Sequence, residues 1–300
     1  LKFELSDLRG IVVPIITPLT ASENLDERAL RKIVDHLLKG GVHGIFVNST
    51  TGEAVCLLDQ VRDAALKIVV DQVAGRVPVY AGISDTSTKR ALENLARATD
   101  RGADIMVAHP PFYYPPNSQE ELIAYFTQLA DASSMPLMLY NIPFTTKAPL
   151  SLETVRRLMQ IDKIIGIKDS SVDYVFLMNL IELKRSRPEF RIFIGKSHMW
   201  AAGILSGADG GLDGISNLIP GHCVRLYQAI QSKSQDVYAL QREINEIFRV
   251  YECASFLGGI KAAMSFLELC EPYTVHPILP ASAQEREKIA AILKTYKLTA

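Results

Sequence analysis

Lys168 closes the apolar run Ile164-Ile165-Gly166-Ile167, and Tyr140 closes Pro136-Leu137-Met138-Leu139 one strand earlier. Such runs suit parallel strands covered on both faces. An amine withdrawn from water favours its neutral form, the form that attacks a carbonyl carbon to give an imine. A phenol beside that amine passes protons to and from the reacting oxygen. Neighbouring strands lie about 4.8 Å apart, so side chains at matching heights on strands five and six can meet. Taken alone, the plain reading of Lys168 is the first residue of a solvated loop, and that of Tyr140 a core tyrosine. Only side by side do they make a site.

Three further stretches fall at strand ends. Thr50-Thr51-Gly52-Glu53 follows strand two. Successive N–H groups in a tight turn form an anion-binding concavity, and hydroxyls add donors. That suits a substrate carboxylate, with an ordinary Thr/Gly turn as the alternative. Glu53 reads more readily as a brace for the loop than as a general base. Pro110-Pro111-Phe112-Tyr113-Tyr114-Pro115-Pro116 reads as a rigid projection packed against another subunit. Lys196-Ser197-His198 stands at the end of strand seven, before a helix expected over 199–205. A lysine at the positive end of a helix is disfavoured without a compensating anion. Either Lys196 points to solvent, or it and the helix start hold a second anion, making the partner substrate acidic.

Those strand ends need a frame to hold them. Strands are expected over 10–17, 44–47, 77–81, 104–107, 136–141, 164–168, 191–194 and 208–212, alternating with helices. Ser118 and Glu121 mark a capping box ahead of the helix carrying Leu122, Tyr125, Phe126 and Leu129. Gly41, Gly102 and Gly207 each end a helix just before a strand, the echo expected of repeated βα units. The pattern predicts an α/β fold, a (β/α)8 TIM barrel over 1–233, with strand-end residues at its working face. A C-terminal helical extension over 234–300 packs on the barrel or on another subunit. An open doubly wound sheet ranks below, because no Gly-rich dinucleotide fingerprint follows strand one.

The formal net charge of −1, with both signs interspersed, gives no sign of nucleic acid or an anionic membrane as a partner. The chain start does not read as a signal sequence, and no apolar run is long enough to span a membrane. Cys56, Cys223, Cys253 and Cys270 form no close pair, favouring a reducing, cytoplasmic setting. His36, His43, His109, His222 and His276 show no metal spacing and read as structural or surface residues.

The order and spacing of these features carry a resemblance over nearly the whole length. They are Pro14 to Pro18, Ser49-Thr50-Thr51-Gly52-Glu53, the Pro/Tyr loop, Tyr140-Asn141-Ile142-Pro143, Gly166-Ile167-Lys168 and Gly207-Ala208-Asp209-Gly210-Gly211. The chain resembles the dihydrodipicolinate synthase/N-acetylneuraminate lyase family of Schiff-base barrels. The resemblance implies a class I aldolase or lyase in which Lys168 forms an imine with C2 of pyruvate or a related 2-oxo acid. Tyr140 would be the proton shuttle, Thr50 a relay hydroxyl and Thr51 a carboxylate ligand. Leu212, Lys196 and Ser197 would contact substrate. A further relay tyrosine would come from a partner subunit, mapping best to Tyr113 with Tyr114 open. The implied partners are a small 2-oxo acid, an aldehyde and further copies of this chain, as a homotetramer built from a dimer of dimers. Imine chemistry needs no metal or external cofactor.

Two departures separate this chain from the founding activities. Phe144-Thr145-Thr146-Lys147 lacks the arginine that dihydrodipicolinate synthases carry there, and a lysine cannot reproduce a bidentate guanidinium fork. Gly195-Lys196-Ser197-His198 lacks the Asp-Glu pair of the sialic-acid lyases. A 3-deoxy-2-oxo sugar acid dehydratase and a non-catalytic 2-oxo-acid-binding paralogue share the scaffold. A phosphate-binding barrel, using the glycine-rich 207–214, would leave Lys168 and Tyr140 without a role.

Overall fold

The computed structural model describes residues 3–298. Eight parallel strands close on themselves in chain order. They are β1 (Gly10–Pro14), β2 (Gly44–Val47), β3 (Val79–Gly82), β4 (Ile105–Ala108), β5 (Leu137–Asn141), β6 (Ile164–Asp169), β7 (Arg191–Ile194) and β8 (Gly210–Gly211). Closure comes from β8 pairing back on β1, with Gly10 opposite Gly210. The open-sheet alternative is thereby excluded. β8 is shorter than the sequence suggests, because Leu212 already leaves the ladder.

The barrel helices are α1 (Glu27–Lys39), α2 (Asp59–Val73), α3 (Thr88–Asp100) and α4 (Gln119–Ala132), one after each of the first four strands. A one-turn α5 (Pro143–Thr146) and then α6 (Leu152–Leu158) follow β5; α7 (Tyr174–Leu183), α8 (Trp200–Ser206) and α9 (Pro220–Gln231) complete the ring. Three more helices, α10 (Val237–Phe248), α11 (Phe256–Phe266) and α12 (Ala283–Thr295), form the C-terminal extension. Gly41, Gly102 and Gly207 take φ of 77°, 83° and 122°, where a β-carbon would be strained, so the repeated helix stops have a backbone cause.

The Ser118 signature forms only half of its box. Ser118 Oγ accepts from Glu121 N, but the Glu121 carboxylate takes the N–H of Asn117. The complete box is at Ser282 and Glu285, opening α12. Inside the barrel, Val12, Phe46, Tyr80, Val107, Met138, Tyr140, Ile165, Phe193 and Leu212 fill the lumen as one apolar cluster. Outside it, the strands share a second cluster with the barrel helices and with Ile244, Ile260, Ile289 and Leu293 of the extension. Among the described residues no helix is long and apolar enough to cross a membrane.

Candidate active site

Register sets the centre. Tyr140 lies opposite Lys168 and Asn141 opposite Asp169 across β5 and β6. An irregularity between Leu137 and Met138 carries the pairing from Ile164 directly to Gly166. Ile165 and Lys168 differ by an odd step, and in a regular strand they would face opposite sides. The bulge absorbs one residue, so Ile165 packs in the lumen and Lys168 still turns toward Tyr140. Lys168 is 4% exposed, and its Nζ lies 4.0 Å from the Tyr140 ring centroid and 5.4 Å from that of Phe46. One residue further along each strand, Asn141 Nδ2 donates to Asp169 Oδ1 at 2.8 Å and Ser171 Oγ donates to Oδ2 at 2.9 Å. These bonds tie the two strand ends together.

Beside Tyr140 opens a cavity of about 110 Å³ whose lining includes Phe46, Thr50, His109, Phe112 and Thr145. Thr50 and Tyr140 therefore share one space. The turn carrying Thr50 is held from behind: Thr17 Oγ1 donates to the Gly52 carbonyl at 2.7 Å and Gly52 N to Ser49 Oγ at 3.1 Å. The N–H groups of Thr50 and Thr51 make no hydrogen bond among the described residues, which leaves both donors open. Thr51 is buried.

Glu53 has the bracing role expected of it, with partners distant in sequence. It sits at φ 59° with its carboxylate fully enclosed, ion-paired to Lys261 of α11 and accepting from Val275 N at 2.8 Å. Burial pushes the Lys261 pKa down and the Glu53 carboxylate opposes that shift. Removing one member of a buried pair leaves an uncompensated charge. Lys261→Met should therefore lower the unfolding free energy by about 3–5 kcal/mol in urea titrations. Adding Glu53→Gln should restore part of the loss. A single variant within about 1 kcal/mol of wild type would show that the extension does not depend on this pair.

Lys196, Ser197 and Tyr113 stand apart from that cavity. Lys196 Nζ lies 4.3 Å over the ring of Phe248 in α10, which also meets the His198 ring edge-on at 4.6 Å. Ser197 is fully buried, its Oγ has no partner among the described residues, and its N–H donates to Asp213 Oδ2 at 2.9 Å. The helix beyond it has only seven residues. Its start is thus answered by the protein's own Asp213, which removes the helix-terminus half of the second-anion argument. Leu212 is fully buried in the lumen. Tyr113 is 81% exposed at φ 72° and touches Tyr114 edge-on at 5.0 Å.

His109 corrects the reading of the histidines as structural or surface groups, because it lines the cavity. Its ring packs 5.9 Å from that of Tyr140 and 5.8 Å from that of Phe112. Burial, and then the charge of Lys168, pull its pKa down to about 4, against the Pro110 carbonyl, which raises it. At neutral pH the ring is uncharged: Nδ1–H donates to the Pro110 carbonyl at 2.7 Å, and Nε2 is left as an acceptor. No spacing rule could have found it, since only the fold brings strand four beside strand five. His36, His43, His222 and His276 hold structural bonds, to the Asn217 carbonyl, Ile11 N, Glu243 and Glu23 respectively.

The structure is thus a closed parallel barrel that holds a buried lysine opposite a tyrosine at its strand ends, the working face of such barrels. The profile of the dihydrodipicolinate synthetase family matches residues 7–296, and this chain belongs to that family. The 4-hydroxy-tetrahydrodipicolinate synthase of Staphylococcus carnosus is 33% identical over 291 residues, covering 96% of this chain and 97% of its own. The N-acetylneuraminate lyase of an Enterobacter species is 26% identical, covering 96% of each chain. Among solved structures, YagE from E. coli K12, a prophage protein of the dihydrodipicolinic acid synthase family in complex with pyruvate, superposes with a TM-score of 0.93. It is 29% identical, and the match covers 97% of this chain and 99% of that one.

Proposed function

We propose that this chain is a Schiff-base aldolase that makes or breaks a carbon–carbon bond beside an enamine of pyruvate or a related 2-oxo acid. The observation carrying this reading is Tyr140 opposite Lys168, with the amine 4.0 Å from the phenol ring. Lys168 Nζ adds to the C2 carbonyl, and the carbonyl oxygen leaves as water, its protons passing through Tyr140 and Thr50. Loss of a C3 proton converts the imine to an enamine. C3 then attacks the aldehyde carbon, whose oxygen takes up a proton. Hydrolysis of the product imine returns the free amine. Cleavage runs the same steps backwards, and neither direction calls for an external cofactor. The substrate carboxylate is held by the open N–H groups of Thr50 and Thr51 and by the threonine hydroxyls.

The partner is an aldehyde, and the synthase reading is the weaker one. Lys147, where a carboxylate-binding arginine would stand, is exposed and donates to the Phe144 carbonyl of its own turn at 2.7 Å. A panel of pyruvate-plus-aldehyde condensations scored by product mass, run with neutral and acidic aldehydes, tests the reading. No new product from any aldehyde, and no pyruvate release from the matching aldols, would sink it.

Tyr113 belongs to this reading as a residue supplied across a subunit interface. A bulky side chain at positive φ is a strained arrangement, and here it projects an aromatic ring outward from rigid prolines. Heterodimers of Lys168→Ala with Tyr113→Phe should recover activity that neither parent has, because one of the two sites regains both wild-type residues. No recovery after demonstrated subunit exchange places Tyr113 outside the partner's site.

A further inference from the structure

The C-terminal extension brings a polar group to the carboxylate end of the site. Tyr251 follows α10, and its hydroxyl is buried without a hydrogen-bond partner among the described residues. Such a group is costly to leave unpaired and calls for an explanation. Its aim is fixed, since the ring stacks on Phe256 at 4.6 Å and 13° and packs on Phe248 at 4.7 Å. A β-carbon built on Gly214 would lie 2.7 Å from Tyr251 Oη, 3.1 Å from Thr51 Cγ2 and 3.3 Å from Thr51 Oγ1. The phenol of the extension and the side chain of Thr51 thus both close on Gly214, beyond β8, where there is no room for a side chain.

Asp213 is next to this spot, but both of its oxygens are engaged, by Ser197 N at 2.9 Å and Ile215 N at 3.0 Å. Burial, and then the Asp213 charge, raise the Tyr251 pKa well above the ordinary phenol value. The phenol therefore stays protonated and is a donor. A donor close to the Thr51 side chain suits an anion held by the open N–H groups of that turn.

We propose that Tyr251 is a further 2-oxo-acid-binding residue, its O–H donating to the carboxylate that Thr51 holds. The inference rests on the reading of Lys168 as the imine-forming lysine. It gives the extension a part in the site beyond packing, because Tyr251 would contact substrate directly.

Tyr251→Phe removes only the hydroxyl and keeps the stack on Phe256. The measurement is the pyruvate concentration that half-saturates borohydride trapping at Lys168, with methyl pyruvate as the uncharged control. The variant should need about 10-fold more pyruvate or worse, the scale of one hydrogen bond to a charged group. With methyl pyruvate the difference should shrink below about 2-fold. Without ligand the variant should melt no lower than wild type, because an unpaired polar atom has been removed from the interior. Equal half-saturation by pyruvate in the two proteins overturns the role of Tyr251 and leaves the imine intact. A fall in melting temperature of about 4 °C or more without ligand also overturns it, by showing that the hydroxyl is bonded inside the protein. Failure of the wild type itself to be trapped removes the imine reading, and this inference with it.

Discussion

Lys168→Ala should abolish turnover and remove all covalent trapping by pyruvate and borohydride. Wild-type protein under the same conditions should gain one reduced pyruvyl group, located at Lys168 by peptide mass. Selectivity is expected because Lys168 is 4% exposed at the barrel mouth beside Tyr140, while most other lysines of the chain lie on the outer surface. Lys261 is equally enclosed, but it is ion-paired to Glu53 and stands in α11. Losing a catalytic nucleophile costs about 10⁴-fold or more in rate, because the residues that act with it have nothing left to act on. Lys168→Arg should be as inactive as the alanine variant, since a guanidinium stays protonated and cannot form the imine. Labelling spread over surface lysines, or an alanine variant that still turns over, would falsify the imine assignment.

How much of this was legible in the sequence differs from element to element, for physical reasons. The eight strands and most of the helices between them were readable because each burial face imposes its own period on the residues. The glycines at 41, 102 and 207 marked the helix ends because only a residue without a β-carbon adopts their φ cheaply. What a linear pattern cannot carry is the direction of a side chain past a bulge. Ile164 to Ile167 reads as a uniform apolar run, and the run alone does not tell whether Lys168 faces the lumen or the helices. Pairing with β5 decides it, through the residue skipped between Ile164 and Gly166. The partners of Glu53 were hidden for a related reason. A brace was expected, but Lys261 and Val275 reach it only because α11 and the segment after it fold back over the barrel. Asp213 was missed entirely. An acidic residue set in the glycine-rich run Gly210-Gly211-Leu212-Asp213-Gly214 looks like a turn, and its acceptance of the Ser197 and Ile215 N–H groups appears only in three dimensions.

Tyr140→Phe should still let pyruvate be trapped to completion at Lys168, more slowly than in wild type, and yet lose most turnover. The substitution is conservative in every contact but one. The ring would keep its edge-on packing with Phe46 at 6.5 Å and with His109 at 5.9 Å, and Lys168 Nζ would still have an aromatic face 4.0 Å away. Stability should therefore hardly change, which separates this variant from one that fails by unfolding. What is lost is the hydroxyl proposed to pass protons between the reacting oxygen and Thr50, which lines the same cavity. Positioned proton transfer contributes about 10²–10⁴-fold, and the deficit should fall mainly on kcat. His109 is not placed to rescue the step as an acid. With its pKa near 4 it carries no proton on Nε2 at neutral pH, and its Nδ1–H is committed to the Pro110 carbonyl. The measurement is a pair of numbers on one preparation: the fraction of Lys168 trapped and the steady-state rate with the best aldehyde. Full trapping with a rate down by 10²-fold or more, the lower end of that range, identifies Tyr140 as the proton carrier. A rate within a few-fold of wild type reduces Tyr140 to a packing residue, and the proton route would then have to run through Thr50 and water without it.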